Sequence, residues 1–140
     1  MQRAGSAAPT HFDGGTTTVT DPSGGPTDPA TQALRELVDE LDTCLTELDH
    51  ARRRAADLLR QRESGDAWLD IVGRETPPLV VEQISTVLGS LSTAGHAWRR
   101  EQAAALQAED VSINRIAALF GVTRQRISTL LRERRDPATD

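Results

Sequence analysis

The chain has 140 residues, 37% of them hydrophobic but only 3% aromatic, with no tyrosine. Such a supply of small aliphatics does not suit an aromatic-packed sandwich or barrel. All sixteen basic residues are arginine, which excludes a P-loop, whose lysine reaches the phosphates, and a pyridoxal-phosphate site, whose lysine forms the Schiff base.

The net charge of -5 is unevenly spread. Residues 1–110 carry ten arginines against eighteen carboxylates, net -8, whereas residues 111–140 carry six against three, net +3. A basic end on an acidic protein points to a nucleic-acid contact confined to that end. The lone cysteine, Cys44, allows no disulfide within the chain. No stretch has the length and purity of a membrane span, and the first twenty residues lack the apolar run of a signal peptide. Cytoplasmic, nucleoid-associated residence is therefore expected, with no membrane contact.

Residues 1–28 hold three prolines, five glycines and a threonine run, with almost nothing to bury except Phe12 and Val19. A disordered arm is expected, because so few apolar groups cannot offset the entropy of ordering.

Asp28-Pro29 then reads as a helix start, aspartate capping free amides and proline filling the first position, where no N–H partner is needed. Leu34, Leu37, Leu41, Cys44, Leu48, Ala51, Ala55 and Leu58 follow at alternating three- and four-residue steps, the spacing of a heptad seam. A helix from Pro29 to Arg62, about 50 Å long at the standard rise, is predicted, with Ser64-Gly65 ending it. Val38, Leu45 and Leu59 fall beside the seam and widen it. A homodimer through residues 34–59 is expected, although packing inside the chain would use the same pattern. Acidic residues crowd the first half of this helix and arginines the second, which suits the helix dipole and would make an antiparallel pair complementary. The acidic helical region is also a possible surface for a protein partner.

A short amphipathic segment, 66–75, contains Trp68, Leu69, Ile71 and Val72. Pro77 and Pro78 break the chain and start another helix, with Val80, Val81, Ile84, Val87, Leu88, Leu91 and Trp98 predicted on one side. Gly89, Ala94 and Gly95 would permit close helix contact or a bend. No strand alternation occurs, so the fold is expected to be all-α.

The stretch from Val111 to Arg132 carries the chemistry. Ser112 can cap a helix through Ile113, Ile116, Ala117, Leu119 and Phe120 that stops at Gly121, and Thr123 can cap a second helix burying Ile127, Leu130 and Leu131. With a preceding helix near residues 96–108 this makes a tri-helical unit. Ala117 is small where the two helices approach, Gly121 follows four residues later at the turn, and Val122, Ile127 and Leu130 fall at core positions. On these residues the stretch resembles the helix-turn-helix DNA-binding family, of the broad kind found in bacterial repressors and sigma-factor-like domains. The resemblance covers about 22 of the 140 residues.

It implies that the second helix, 123–134, enters the major groove of double-stranded DNA while the first crosses the backbone. Thr123, Arg124, Gln125, Arg126, Ser128, Thr129 and Arg132 would then face DNA. Gln125 and one or both of Arg124 and Arg126 are the candidate base readers, glutamine suiting adenine and arginine guanine. Arg115, Arg132, Arg134 and Arg135 are more naturally phosphate contacts. The division expected is an arm (1–28), a helical dimerisation or partner region (29–95), a helix-turn-helix domain (96–135) and a tail (136–140).

No catalytic constellation emerges. His11, His50 and His96 are scattered and form neither an HExxH pair nor a zinc pattern, and no glycine-flanked serine nucleophile occurs. No enzyme activity, cofactor or metal is expected. A DNA-binding transcriptional regulator is the leading reading, with an interaction adaptor built on the heptad helix, or a sequence-independent nucleoid protein, as alternatives.

Overall fold

A computed structural model describes residues 28–136, together with Gly5; apart from Gly5 and Asp28 the arm expected over 1–28 lies outside the described residues, as does the tail expected over 136–140 apart from Asp136. The fold is all-α: α1 (Pro29–Glu63), α2 (Trp68–Arg74), α3 (Val80–Ala108), α4 (Ile113–Phe120) and α5 (Arg124–Arg135).

The start of α1 follows from its cap. The Asp28 carboxylate accepts the Thr31 backbone N–H at 2.8 Å and the Thr31 hydroxyl at 2.7 Å, and Pro29 opens the helix. At the far end Gly65 takes φ 102°, and the Asp66 N–H turns back to the Gln61 carbonyl. This is a left-handed closure that satisfies a carbonyl the helix would otherwise leave free.

After the short α2, the α3 helix runs back antiparallel along α1. Cys44 Sγ lies 3.9 Å from the Val87 carbonyl, whereas Pro29 and Ala30 share a small cavity with Ala104, Ala105 and Ala108 at the other end of α3. Arg54 fastens the Pro77-Pro78 turn to α1 by donating to the Thr76 carbonyl at 2.8 Å and to Gln83 at 3.2 Å, with Glu75 at 3.7 Å. Glu75 and Glu82 in turn accept the Val80 and Leu79 N–H groups and close the start of α3.

The predicted α1 seam is divided between a packed half and an exposed half. Leu37, Cys44, Ala51 and Leu58, seven residues apart, are buried or half-buried on the side packed against α3. Leu34, Leu41, Leu48 and Ala55, the other half of the same seam, are exposed. The flanking Val38, Leu45 and Leu59 are exposed with them. The packing of α1 within its own chain thus uses half of the predicted seam. The reason is geometric: residues three or four apart are turned about 40–60° from one another around the helix, so a wide stripe presents two edges.

Two expectations for α3 change. Val81 and Leu88 are not on the packed side with Val80 and Val87 but are largely exposed. Gly89 and Gly95 have open space where a Cβ would stand, so neither marks a close helix contact. The helix is unbroken through both glycines, and it serves two packings, along α1 for much of its length and, in its last turns, against α4 and α5 as well.

Candidate nucleic-acid interface

The tri-helical unit is built by two devices, each used twice. The α3 helix ends with Asp110 in the left-handed region at φ 63°, and the Val111 N–H returns to the Leu106 carbonyl at 3.1 Å. The α4 helix ends in the same way, with Gly121 at φ 65° and ψ 34° and the Val122 N–H on the Ala117 carbonyl at 3.0 Å. Each following helix is then started by a hydroxyl: Ser112 Oγ accepts the Arg115 N–H at 3.2 Å, and Thr123 Oγ1 accepts the Arg126 N–H at 3.1 Å. Both caps and the Gly121 turn stand where the sequence places them. The end of the preceding helix at Ala108 also falls where expected, but the left-handed Asp110 that closes it has a weaker signal than a glycine, because aspartate enters that region less often.

These turns bring Ala103, Ile116, Ala117, Ile127, Leu130 and Leu131 into one core, with Ala104, Leu106, Val111, Ile113, Phe120 and Val122 packed around it. Ile116, Ile127 and Leu130 are fully buried. Burial of Ile127, Leu130 and Leu131 fixes the rotation of α5. Residues 125, 128, 129 and 132, at spacings of three, four and seven, therefore lie on the opposite side, with Arg124 and Arg126 at its two edges.

Of the sequence-predicted site residues, Arg115, Thr123, Arg124, Gln125, Arg126 and Arg132 are exposed, and Ser128 and Thr129 are half-buried. The Thr129 hydroxyl donates to the Gln125 carbonyl at 3.0 Å, so it retains only acceptor capacity for a ligand. The Thr123 hydroxyl accepts a backbone N–H and keeps its own proton free to donate.

Charge pairing differs between this region and the middle of α1 and α2. Arg52 and Arg53 pair with Asp49, Arg54 with Glu75, Arg60 with Asp57 and Arg74 with Asp66. By contrast, Arg115, Arg124, Arg126 and Arg132 make no ion pair or side-chain hydrogen bond among the described residues. Arg134, expected at a phosphate, is paired with Glu101 of α3 at 2.7 Å. Glu133, the one carboxylate in the basic stretch of α5, is likewise drawn to His96 at 2.9 Å. Sequence reasoning did not identify Glu101 or His96, which lie more than thirty residues away from their partners. It also passed over Arg99, whose guanidinium stacks 4.9 Å from the Phe120 ring centroid beside the Gly121 turn.

Among the described residues no group of three or more His, Cys, Asp or Glu side chains could hold a metal ion, and no helix is long and apolar enough to cross a membrane. Cys44 is 3% exposed. Burial, reinforced by the Glu40 and Glu47 carboxylates, pushes its thiol above the ordinary range, which disfavours the nucleophilic thiolate. No family model, curated protein or solved structure matches the chain.

Proposed function

We propose that this protein is a DNA-binding transcriptional regulator that reads the major groove with the helix spanning residues 123–134 and acts as a dimer. The observation that carries this reading is the contrast in arginine pairing. The arginines of α1 and α2 are largely neutralised by neighbouring carboxylates, whereas Arg115, Arg124, Arg126 and Arg132 stand exposed around α4 and α5 without one. Phosphates would supply the missing charge, and the helix amino termini at Ser112 and Thr123 favour anions in the same place.

Gln125 lies at the centre of the outward face of α5, where its amide can meet the N6 and N7 of adenine. Arg124 and Arg126 flank it, one reaching bases and the other the adjoining strand, and Arg132 follows a further two turns along. The Thr123 hydroxyl donates to a phosphate at the helix start. A single unit of this size contacts few base pairs, so specific binding calls for two copies about one DNA turn apart, roughly 34 Å. Occlusion of a promoter would need no further activity.

Selection from a random duplex library, followed by anisotropy titration of the enriched site, tests the reading. Enrichment of a two-part site is expected, and an Arg124→Ala, Arg126→Ala double variant with unchanged helicity should bind it at least tenfold more weakly. Its salt slope should fall by about 0.9 for each phosphate the variant no longer neutralises. Unchanged affinity in the folded variant would remove the proposal, and failure to enrich any site despite tight binding would leave the sequence-independent alternative.

A further inference from the structure

We infer that a second copy of this chain docks on the outer stripe of α1, antiparallel, about a two-fold axis beside Leu41. Leu34, Val38, Leu41, Leu45 and Leu48 are 41, 50, 41, 68 and 38% exposed. They recur at alternating four- and three-residue steps, the spacing at which one helix receives another. Leu88 of α3 is 56% exposed and extends the stripe across the hairpin. Glu40, Thr43 and Glu47 of α1 meet Gln83 and Thr86 of α3 around a groove on one side of the α1/α3 contact. By helical spacing, the leucines and Leu88 fall on the other side. One side of the hairpin is thus polar and acidic, and the other is an apolar face two helices wide, larger than a solitary exposed leucine requires.

Charge selects the occupant and its direction. Arg35, Asp42 and Asp49 stand seven residues apart along the free edge of the stripe. In a parallel pair the two free edges lie on opposite sides, so Arg35 gains no carboxylate from the edge of the second copy, and Arg52, which continues the stripe after Leu48, meets Arg52. In an antiparallel pair centred on Leu41, Leu34 lies opposite Leu48 of the second copy and Val38 one residue from the position opposite its Leu45. Asp49 of the second copy then lies two residues, about 3 Å along the axis, from the position opposite Arg35, a span the long guanidinium side chain bridges, and this contact occurs twice. Only Asp42, near the axis, keeps a like-charged neighbour. Arg35 is exposed and has no ion pair or side-chain hydrogen bond among the described residues, unlike Arg52, Arg53 and Arg54 of the same helix. The antiparallel copy supplies the carboxylate it lacks.

The spacing that results bears on function, and here the inference rests on the DNA-binding reading. The tri-helical unit adjoins the first turn of α1, since Pro29 and Ala30 share a cavity with Ala104, Ala105 and Arg134. At the standard helical rise, a two-fold beside Leu41 sets the two Pro29 positions about 36 Å apart along the pair. That matches half-sites one DNA turn apart, roughly 34–36 Å.

Light scattering and sedimentation of the full chain without DNA test the pairing. A dimer is expected for the wild type, and Leu41→Glu, a surface substitution, should raise its dissociation constant at least a hundredfold at unchanged helicity. A wild-type protein that stays monomeric at high concentration overturns the proposal whatever the variant does. Orientation is read in a Cys44→Ala background by oxidising Arg35→Cys and Asp49→Cys chains separately and mixed. A mixed disulfide is expected, whereas efficient self-linkage of the Arg35→Cys chain would overturn the antiparallel arrangement. Because these measurements contain no DNA, a dimer that binds no duplex refutes the regulator alone, and a monomer that binds duplex refutes the pairing alone.

Discussion

Arg134 Nε lies 2.7 Å from a carboxylate oxygen of Glu101, and one residue earlier Glu133 reaches His96 at 2.9 Å. The last turn of α5 is therefore tied to α3, while its first turn carries Arg124, Gln125 and Arg126 outward. Fixing one end of α5 sets the angle at which the other end is presented.

Replacing Glu101 by Gln should cost little stability. The Glu101 side chain is 18% exposed, but that of Arg134 is 42% exposed, and solvent screening limits such a pair to about 0.5 kcal/mol. The same substitution releases Arg134 toward phosphate. Titration of duplex over a range of salt concentrations should give a slope steeper by up to about 0.9, the contribution of one neutralised phosphate. An unaltered slope would mean that Arg134 stays on the α3 side.

The left-handed ends of α3 and α4 should respond to substitution in opposite senses. Gly121→Ala places a Cβ at φ 65°, and although the space around it is open, the backbone conformation itself should cost about 1 kcal/mol. Asp110→Gly removes the same strain at φ 63° and should stabilise by about 0.5–1 kcal/mol. Urea unfolding of the two variants checks both signs.

Burial separates two leucines of the same size. Leu130, with no exposed surface, should cost about 2–5 kcal/mol when cut to alanine, through the transfer energy forgone and the cavity left behind. Leu45 is 68% exposed, and its replacement by alanine should change the stability of the isolated chain by less than about 0.5 kcal/mol. Chemical denaturation at low protein concentration, where self-association does not contribute, makes the comparison.

Acid should weaken α1 below the ordinary carboxylate range. Hydrogen bonds from the Thr31 backbone and side chain hold the Asp28 carboxyl below its ordinary value, and those from Arg52 and then Arg53 do the same for Asp49. A carboxyl lowered in the folded state stabilises the fold fully above the ordinary carboxylate pKa, near pH 4, and that stabilisation is lost as pH falls through the lowered value. Melting temperatures taken from pH 6 to pH 2 should therefore fall less steeply for Asp28→Asn than for the wild type. Parallel curves would show that the cap contributes nothing through its charge.

Much of this fold is legible in the chain itself because local chemistry decides it. Asp28, Ser112 and Thr123 can each satisfy the first amides of a helix, and Gly65 and Gly121 can close one, so those boundaries follow from the sequence around them. Ile127, Leu130 and Leu131 likewise orient α5 and bring Gln125 and Arg132 to its outer side. What local reasoning misses depends on distant partners. Nothing near Arg134 distinguishes it from Arg132, since Glu101 becomes its neighbour only when α5 lies across α3.

The α1 helix marks the division most clearly. Its periodicity alone determines that it is a helix and that it carries a broad apolar stripe, because a 3.6-residue repeat brings residues three and four apart to one side. Which edge of that stripe turns inward is settled only by tertiary structure. The α3 helix returns antiparallel along Leu37, Cys44, Ala51 and Leu58, and one neighbouring helix can cover only one edge. Leu34, Leu41, Leu45 and Leu48 stay at the surface because the stripe is wider than a single helix contact.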